Sequence, residues 1–98
     1  MIIRVFRATV PLERQAAFEE KFRAISVPLM VSQAGLTRVT IGRPTRWNPE
    51  EFVMLSEWED QASIEAFAGA AWNEPHIPSG MEVFITDCSV AHYERIDA

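Results

Sequence analysis

Apolar residues follow two rhythms along this chain. From Ile2 to Val10 they alternate, as strand side chains do. Ile3, Val5 and Thr9 share one face with Arg7; Phe6, Ala8 and Val10 share the other with Arg4. The β-branched and aromatic content supports a strand, and Pro11 ends it. From Leu12 to about Gln33 the spacing turns helical. Phe18, Phe22, Ile25 and Leu29 fall at i, i+4, i+7 and i+11. Pro28 lies inside that pattern and is expected to kink the helix or end its regular part near Val27, with Gly35 as the stop.

Leu36 to Arg43 predicts a second strand, and Pro44 to Glu50 a hairpin loop. Phe52 to Trp58 predicts a third. Val53 and Leu55 point one way, and Phe52, Met54 and Trp58 the other, so both faces are apolar. Asp60 is a good N-cap for a helix whose stripe is Ile64, Phe67, Ala68 and Ala71, with Gly69 as a stop. Trp72 to Thr86 is broken by Pro75, Pro78 and Gly80, although Met81 to Ile85 suits a short helix or strand. Asp87 to Ile96 predicts a fourth strand, with Cys88, Val90, His92, Glu94 and Ile96 on one face.

The order is β-α-β-β-α-β, the split-βαβ pattern of ferredoxin-like α+β domains. Right-handed crossovers place both helices on one face of a four-stranded antiparallel sheet, with the first and third strands central. The other face is left bare and apolar. A homodimer packing sheet on sheet is the simplest cover.

Composition narrows the classes. A chain of 98 residues, 48% hydrophobic, fits one domain over 1–98. A net charge of −5 without a basic cluster argues against nucleic acid and against an anionic membrane surface. One cysteine, Cys88, precludes an intramolecular disulfide and a thiolate metal cluster. Arg4 and Arg7 interrupt the start too early for a signal-peptide core, and no apolar run is long enough to span a bilayer. These features predict a cytoplasmic protein.

Few residues carry chemistry. His76, in the proline-broken connection, is the candidate general acid or base; the alternative is a loop histidine bonded to solvent. Trp72 is either a wall that stacks on a flat ligand or a plug at the helix end. Trp58 and Phe67 fit the apolar period of their elements and read first as core. His92 and Glu94 share a strand face and suit a structural pair better than a metal site, which needs three or four ligands. Arg4 and Arg7 are expected to find carboxylates among Glu57, Glu59 and Glu94; the alternative is an anionic group of a ligand.

The run Ser56-Glu57-Trp58-Glu59-Asp60 with Ile64-Glu65-Ala66-Phe67 resembles the antibiotic biosynthesis monooxygenase domain. So do the opening Ile3-Arg4-Val5-Phe6-Arg7 and the closing Ala91-His92-Tyr93-Glu94. The resemblance implies a dimeric α+β barrel. It implies a cofactor-independent monooxygenase acting on a small aromatic quinol or polyketide-like substrate with O2. The alternatives are a non-catalytic dimeric binder of a small apolar ligand and, less favoured, a haem-degrading monooxygenase. Family enzymes carry a functional Trp on the second helix, and Phe67 stands at that position. Haem-degrading members carry an Asn on the first strand near Phe6, and His76 falls roughly where their haem ligand lies. The candidate site is therefore His76 as the catalytic group with Trp72, Phe67, Phe6, His92 and Arg4 binding substrate, and no metal or other cofactor.

Overall fold

The computed structural model describes residues 1–97. Four strands, β1 (Ile2–Thr9), β2 (Leu36–Gly42), β3 (Glu51–Trp58) and β4 (Asp87–Glu94), form one antiparallel sheet in the order β2-β3-β1-β4. The central pair is β1 and β3, as the crossover rule requires. Their register sets Arg4 opposite Ser56, Phe6 opposite Met54 and Ala8 opposite Phe52. All six side chains belong to the face that the helices cover. That face is the core, completed by Val10, Trp58, Phe18, Phe22, Met30 and Ile64. Phe18 sits 4.7 Å from Phe52 and 5.1 Å from Phe22, ring centre to ring centre.

The first helical segment is not regular. It opens with a 3-10 turn at Leu12–Arg14, runs as α1 (Gln15–Lys21), widens into a π turn at Phe22–Ser26 and resumes as α2 (Val27–Val31). Pro28 explains the widening. In a regular helix its ring would collide with the carbonyl of Ala24, and it has no N–H to offer. The amide of Val27 instead reaches back to the carbonyl of Phe22. Pro28 then falls in the first turn of α2, where a missing N–H costs little. The helix is thus neither kinked apart nor ended at Val27. The wide turn rotates everything after it, so the most buried positions are Phe18, Phe22, Ser26 and Met30, while Ile25 and Leu29 are only half-buried.

Helix α3 (Gln61–Ala68) begins where Asp60 caps it, its carboxylate accepting from the Ser63 amide at 2.9 Å and the Ser63 hydroxyl at 2.8 Å. It stops at Gly69, whose φ of 80° suits glycine. Ala71 is therefore beyond the helix and exposed, not part of its apolar stripe. The long connection contributes Met81 to the core and a 3-10 turn at Glu82–Phe84. β4 ends at Glu94, two residues short of the expected Ile96.

The opposite sheet face carries Ile3, Val5, Val53, Leu55, Ala91 and Tyr93, with no helix over it. Ion pairs mark its corners: Arg7 with Glu51 at 3.6 Å and Arg95 with Glu57 at 3.5 Å. Among the described residues, no helix is long and apolar enough to cross a membrane.

Gly35 fixes the approach of α3 to the α2–β2 turn. Its φ is +86°, and a Cβ there would overlap the Ser63 side chain. Gly80 has a similar φ of +91° but open space around it. Gly35→Ala should therefore destabilise the chain by more than ~1 kcal/mol and by more than Gly80→Ala does. Urea unfolding of the two variants checks this, and equal losses would show that the Ser63 contact yields freely.

Candidate functional site

Between the covered sheet face and the first helical segment lies a crevice. Its lining is Phe6, Phe22, Leu29, Met30, Met54, Phe67 and Pro78, with four polar side chains, Arg4, Ser26, Ser56 and His76. The sheet supplies Arg4 and Phe6 from β1 and Met54 and Ser56 from β3. The π turn supplies Phe22 and Ser26, and wide helical turns of this kind often occur at functional sites. The empty space is about 430 Å3 counted out to the mouth, but the cavity proper holds only about 40 Å3, room for a few waters. A flat aromatic ligand fits only after a wall moves. Pro78 and His76, on the long connection, form the side that no helix or strand pins.

Arg4 is the unusual group. It is 3% exposed on a central strand. It does not meet the expected carboxylate. Its Nη1 donates to the Trp72 carbonyl at 2.6 Å and lies 2.8 Å from His92 Nε2; its Nη2 donates to the Glu74 carbonyl at 3.4 Å. The guanidinium also lies 6.0 Å from the centre of the Phe67 ring. Burial lowers its pKa, yet guanidinium stays charged in proteins. Arg7, on the other face, does find a carboxylate, that of Glu51.

His92 likewise does not pair with Glu94. Its Nε2 faces Arg4 and its Nδ1 lies 3.0 Å from Asn73 Oδ1. Arg4 can only donate, so Nε2 must carry the lone pair. Nδ1 then carries the proton and donates to Asn73. Burial first, and the charge of Arg4 second, push the His92 pKa below its ordinary value. His92 is thus neutral at pH 7. Among the described residues, no three His, Cys, Asp or Glu side chains gather closely enough to hold a metal ion.

Arg4, Phe6, Phe67 and His76 meet in the crevice. Trp72 and His92 lie behind Arg4, outside the lining, with their rings 4.9 Å apart. His76 is exposed at the mouth, edge-on to Phe67 at 4.9 Å. Phe67 is only half-buried; one face stacks on buried Trp58 at 5.5 Å and the ring borders the crevice, so it is not simply core. The sequence pattern assigns no role to Ser26, and Ser56 enters only as the first residue of the run that carries the family resemblance. Only Pro28 hinted at Ser26, by forecasting an irregular helix just before it. Ser56 accepts from Trp58 Nε1 at 3.0 Å, a contact between next-but-one residues on one strand face.

Such a sheet, helix layer and crevice define a ferredoxin-like α+β domain. The chain belongs to the antibiotic biosynthesis monooxygenase family, whose pattern matches residues 1–72. No curated protein matches the sequence. Solved structures show the same fold. SnoaB of Streptomyces nogalater, a cofactor-independent oxygenase, is 19% identical over 99% of this chain and 94% of its own, with a TM-score of 0.74. A protein of Nitrosomonas europaea, provisionally described as an antibiotic biosynthesis monooxygenase, is 16% identical over 99% of this chain and 100% of its own, at 0.76. MhuD, seen as a variant with two manganese protoporphyrin IX per active site, is 19% identical over 100% of this chain and 97% of its own, at 0.75.

The His92 arrangement sets a pH dependence. At pH values above 6.5, His92 is neutral both folded and unfolded, and its contribution to stability is complete. As pH falls through 6.5, the unfolded chain takes up a proton that the folded site resists. Stability should drop from there down to the lowered folded pKa, then level off. Asp60, whose pKa its Ser63 contacts lower, should give a second loss only as pH falls below about 3.8. Thermal melting across pH should show the upper step in the native chain and not in His92→Gln; an upper step unchanged in the variant would assign it elsewhere.

Proposed function

We propose that the protein is a cofactor-independent monooxygenase acting on a small aromatic quinol or polyketide-like substrate with O2. The observation that carries this reading is the apolar crevice ending in a buried guanidinium that has no carboxylate partner among the described residues. Such a site favours the deprotonated, electron-rich form of a phenolic substrate. Family membership and the likeness to an oxygenase named as cofactor-independent support the same chemistry.

The reaction balances without a cofactor. A base removes a proton from an acidic ring carbon, and the resulting anion gives its electrons to O2 as a C–O bond forms. The peroxide then loses a second proton from the same carbon. The O–O bond breaks, leaving a carbonyl and releasing water. A CH2 group and one O2 become C=O and H2O. Arg4 holds the anion, the apolar walls exclude water, and His76, at the mouth, is the group placed to move protons.

A non-catalytic ligand binder would use the same crevice. Phe67 favours that reading, because a phenyl ring has no N–H to donate where an indole would. Oxygen uptake with a panel of aromatic quinols separates the two. Turnover is expected, and His76→Ala should lower it about 10²–10⁴-fold with little change in melting temperature. Ligand-induced stabilisation without oxygen uptake would instead establish binding alone. A shift of the Soret band on adding haem would point to haem degradation.

The bare sheet face is proposed to pack on that of a second copy, giving a cytoplasmic homodimer. Apolar Ile3, Val5, Val53 and Leu55 at the centre of the sheet, with ion pairs at the corners, have the anatomy of an interface. Sedimentation should give twice the 11.1 kDa chain mass. Leu55→Asp should shift it to monomer; a native chain that stays monomeric at micromolar concentration would rule the dimer out.

A further inference from the structure

We infer that Asn73 and His92 are positioning residues that hold the Arg4 guanidinium without a counter-ion, so that the crevice selects aromatic ligands carrying an anionic oxygen. This rests on the crevice being the ligand site and goes on to name the class of ligand.

Several of the chain's carboxylates are engaged elsewhere, Glu51 and Glu57 on the opposite sheet face. Glu57 pairs with Arg95, Glu51 with Arg7, and Glu19 with Arg23 and Arg43. Among the described residues, Arg4 makes no ion pair. Its acceptors are two carbonyls and one imidazole nitrogen, all neutral. Neutral acceptors satisfy N–H groups but leave the positive charge in place. A buried charge without a counter-ion is costly, and an anion that pairs with it recovers that cost. A guanidinium has five N–H donors, and the two on Nη1 are taken by Trp72 and His92. Nη2 makes only the long contact to Glu74, so donor capacity remains on a residue that lines the crevice.

His92 is the member that could have defeated this arrangement. A protonated imidazole cannot accept from Arg4, and the other neutral tautomer would turn an N–H toward it. Asn73 supports the tautomer that Arg4 requires: with the Nε2 lone pair toward Arg4, Nδ1 carries the proton and donates to the Asn73 side-chain oxygen at 3.0 Å. Neither residue lines the crevice, so their effect on a ligand passes through Arg4. Phe6 and Phe67 provide flat walls beside the charge. Apolar walls with one fixed cation suit an aromatic ring that bears a carboxylate or phenolate.

The test uses the full chain with 2-naphthoate and its neutral isostere 2-naphthamide in titration calorimetry. At about pH 7.5 the carboxylate is ionised. The native chain should bind naphthoate at least about tenfold more tightly than the amide, the margin of a charged over a neutral hydrogen bond. Arg4→Met should abolish that preference. His92→Leu should abolish most of it, and His92→Gln should retain it, because a side-chain amide oxygen can accept from Arg4 as the imidazole does. Melting curves confirm that the variants are folded; if Arg4→Met does not fold, the Leu and Gln pair decides. Equal affinity for the two probes, no measurable naphthoate binding, or a full preference surviving in folded His92→Leu would overturn the inference. These are equilibrium measurements without turnover. Failure to consume oxygen with quinols would remove the enzymatic reading and leave the selectivity intact, while equal affinities would do the reverse.

Discussion

A buried positive charge on the middle of a central strand constrains this fold more than any other group. Arg4 sits between β3 and β4, where water cannot solvate it. Its N–H groups have to be met from inside. The chain meets them with carbonyls 68 and 70 residues away, at Trp72 and Glu74, and with His92 on the neighbouring strand. This is why the segment after α3 has a definite course although prolines and a glycine break it. Its backbone is tied to the sheet by the residue that also faces the crevice.

The two sheet faces divide the remaining work. The covered face holds the aromatic cluster of Phe18, Phe22 and Phe52 at one end and Arg4 with Ser56 at the other. The crevice opens where packing changes from dense rings to these polar groups. The bare face holds aliphatic side chains at its centre and ion pairs at its corners, of which the exposed Arg7–Glu51 pair adds little stability by itself.

Much of the architecture was legible. Alternation gave all four strands to within a few residues, and the capping chemistry of Asp60 and Gly69 bounded α3. Those signals are local, so one sequence suffices to read them. The stripe of the first helix was misread beyond Phe22, because a wide turn offsets the period and nothing in periodicity alone reveals the offset. Arg4 was legible as a candidate but its partners were not. Charge complementarity pointed to Glu57, Glu59 or Glu94, whereas carbonyl groups belong to every residue and leave no trace in sequence. Ser26 was invisible for a related reason, and Ser56 entered only within its motif, with no role of its own. A serine between apolar Ile25 and Val27 carries no pattern of its own.

The crevice is too narrow for a flat ring in the arrangement seen, and the manner of its widening follows from what holds its walls. The sheet side is fixed by ladder hydrogen bonds, and the helix side by Phe22 and Met30, both buried. The His76–Pro78 side has no such support; His76 is exposed and rests on Phe67. The firm attachment of that connection lies a few residues earlier, where Arg4 holds Trp72 and Glu74. In the proposed site, an acceptor arriving in the crevice meets Nη2, the nitrogen that also holds Glu74. The contact to Glu74, at 3.4 Å, is the weaker and yields before the 2.6 Å contact to Trp72. On the proposed reading, opening would begin on the side of Glu74 and His76, with Trp72 seated against His92. Arg4, the residue proposed to recognise the charge, is thus also the residue that ties the start of this wall to the sheet.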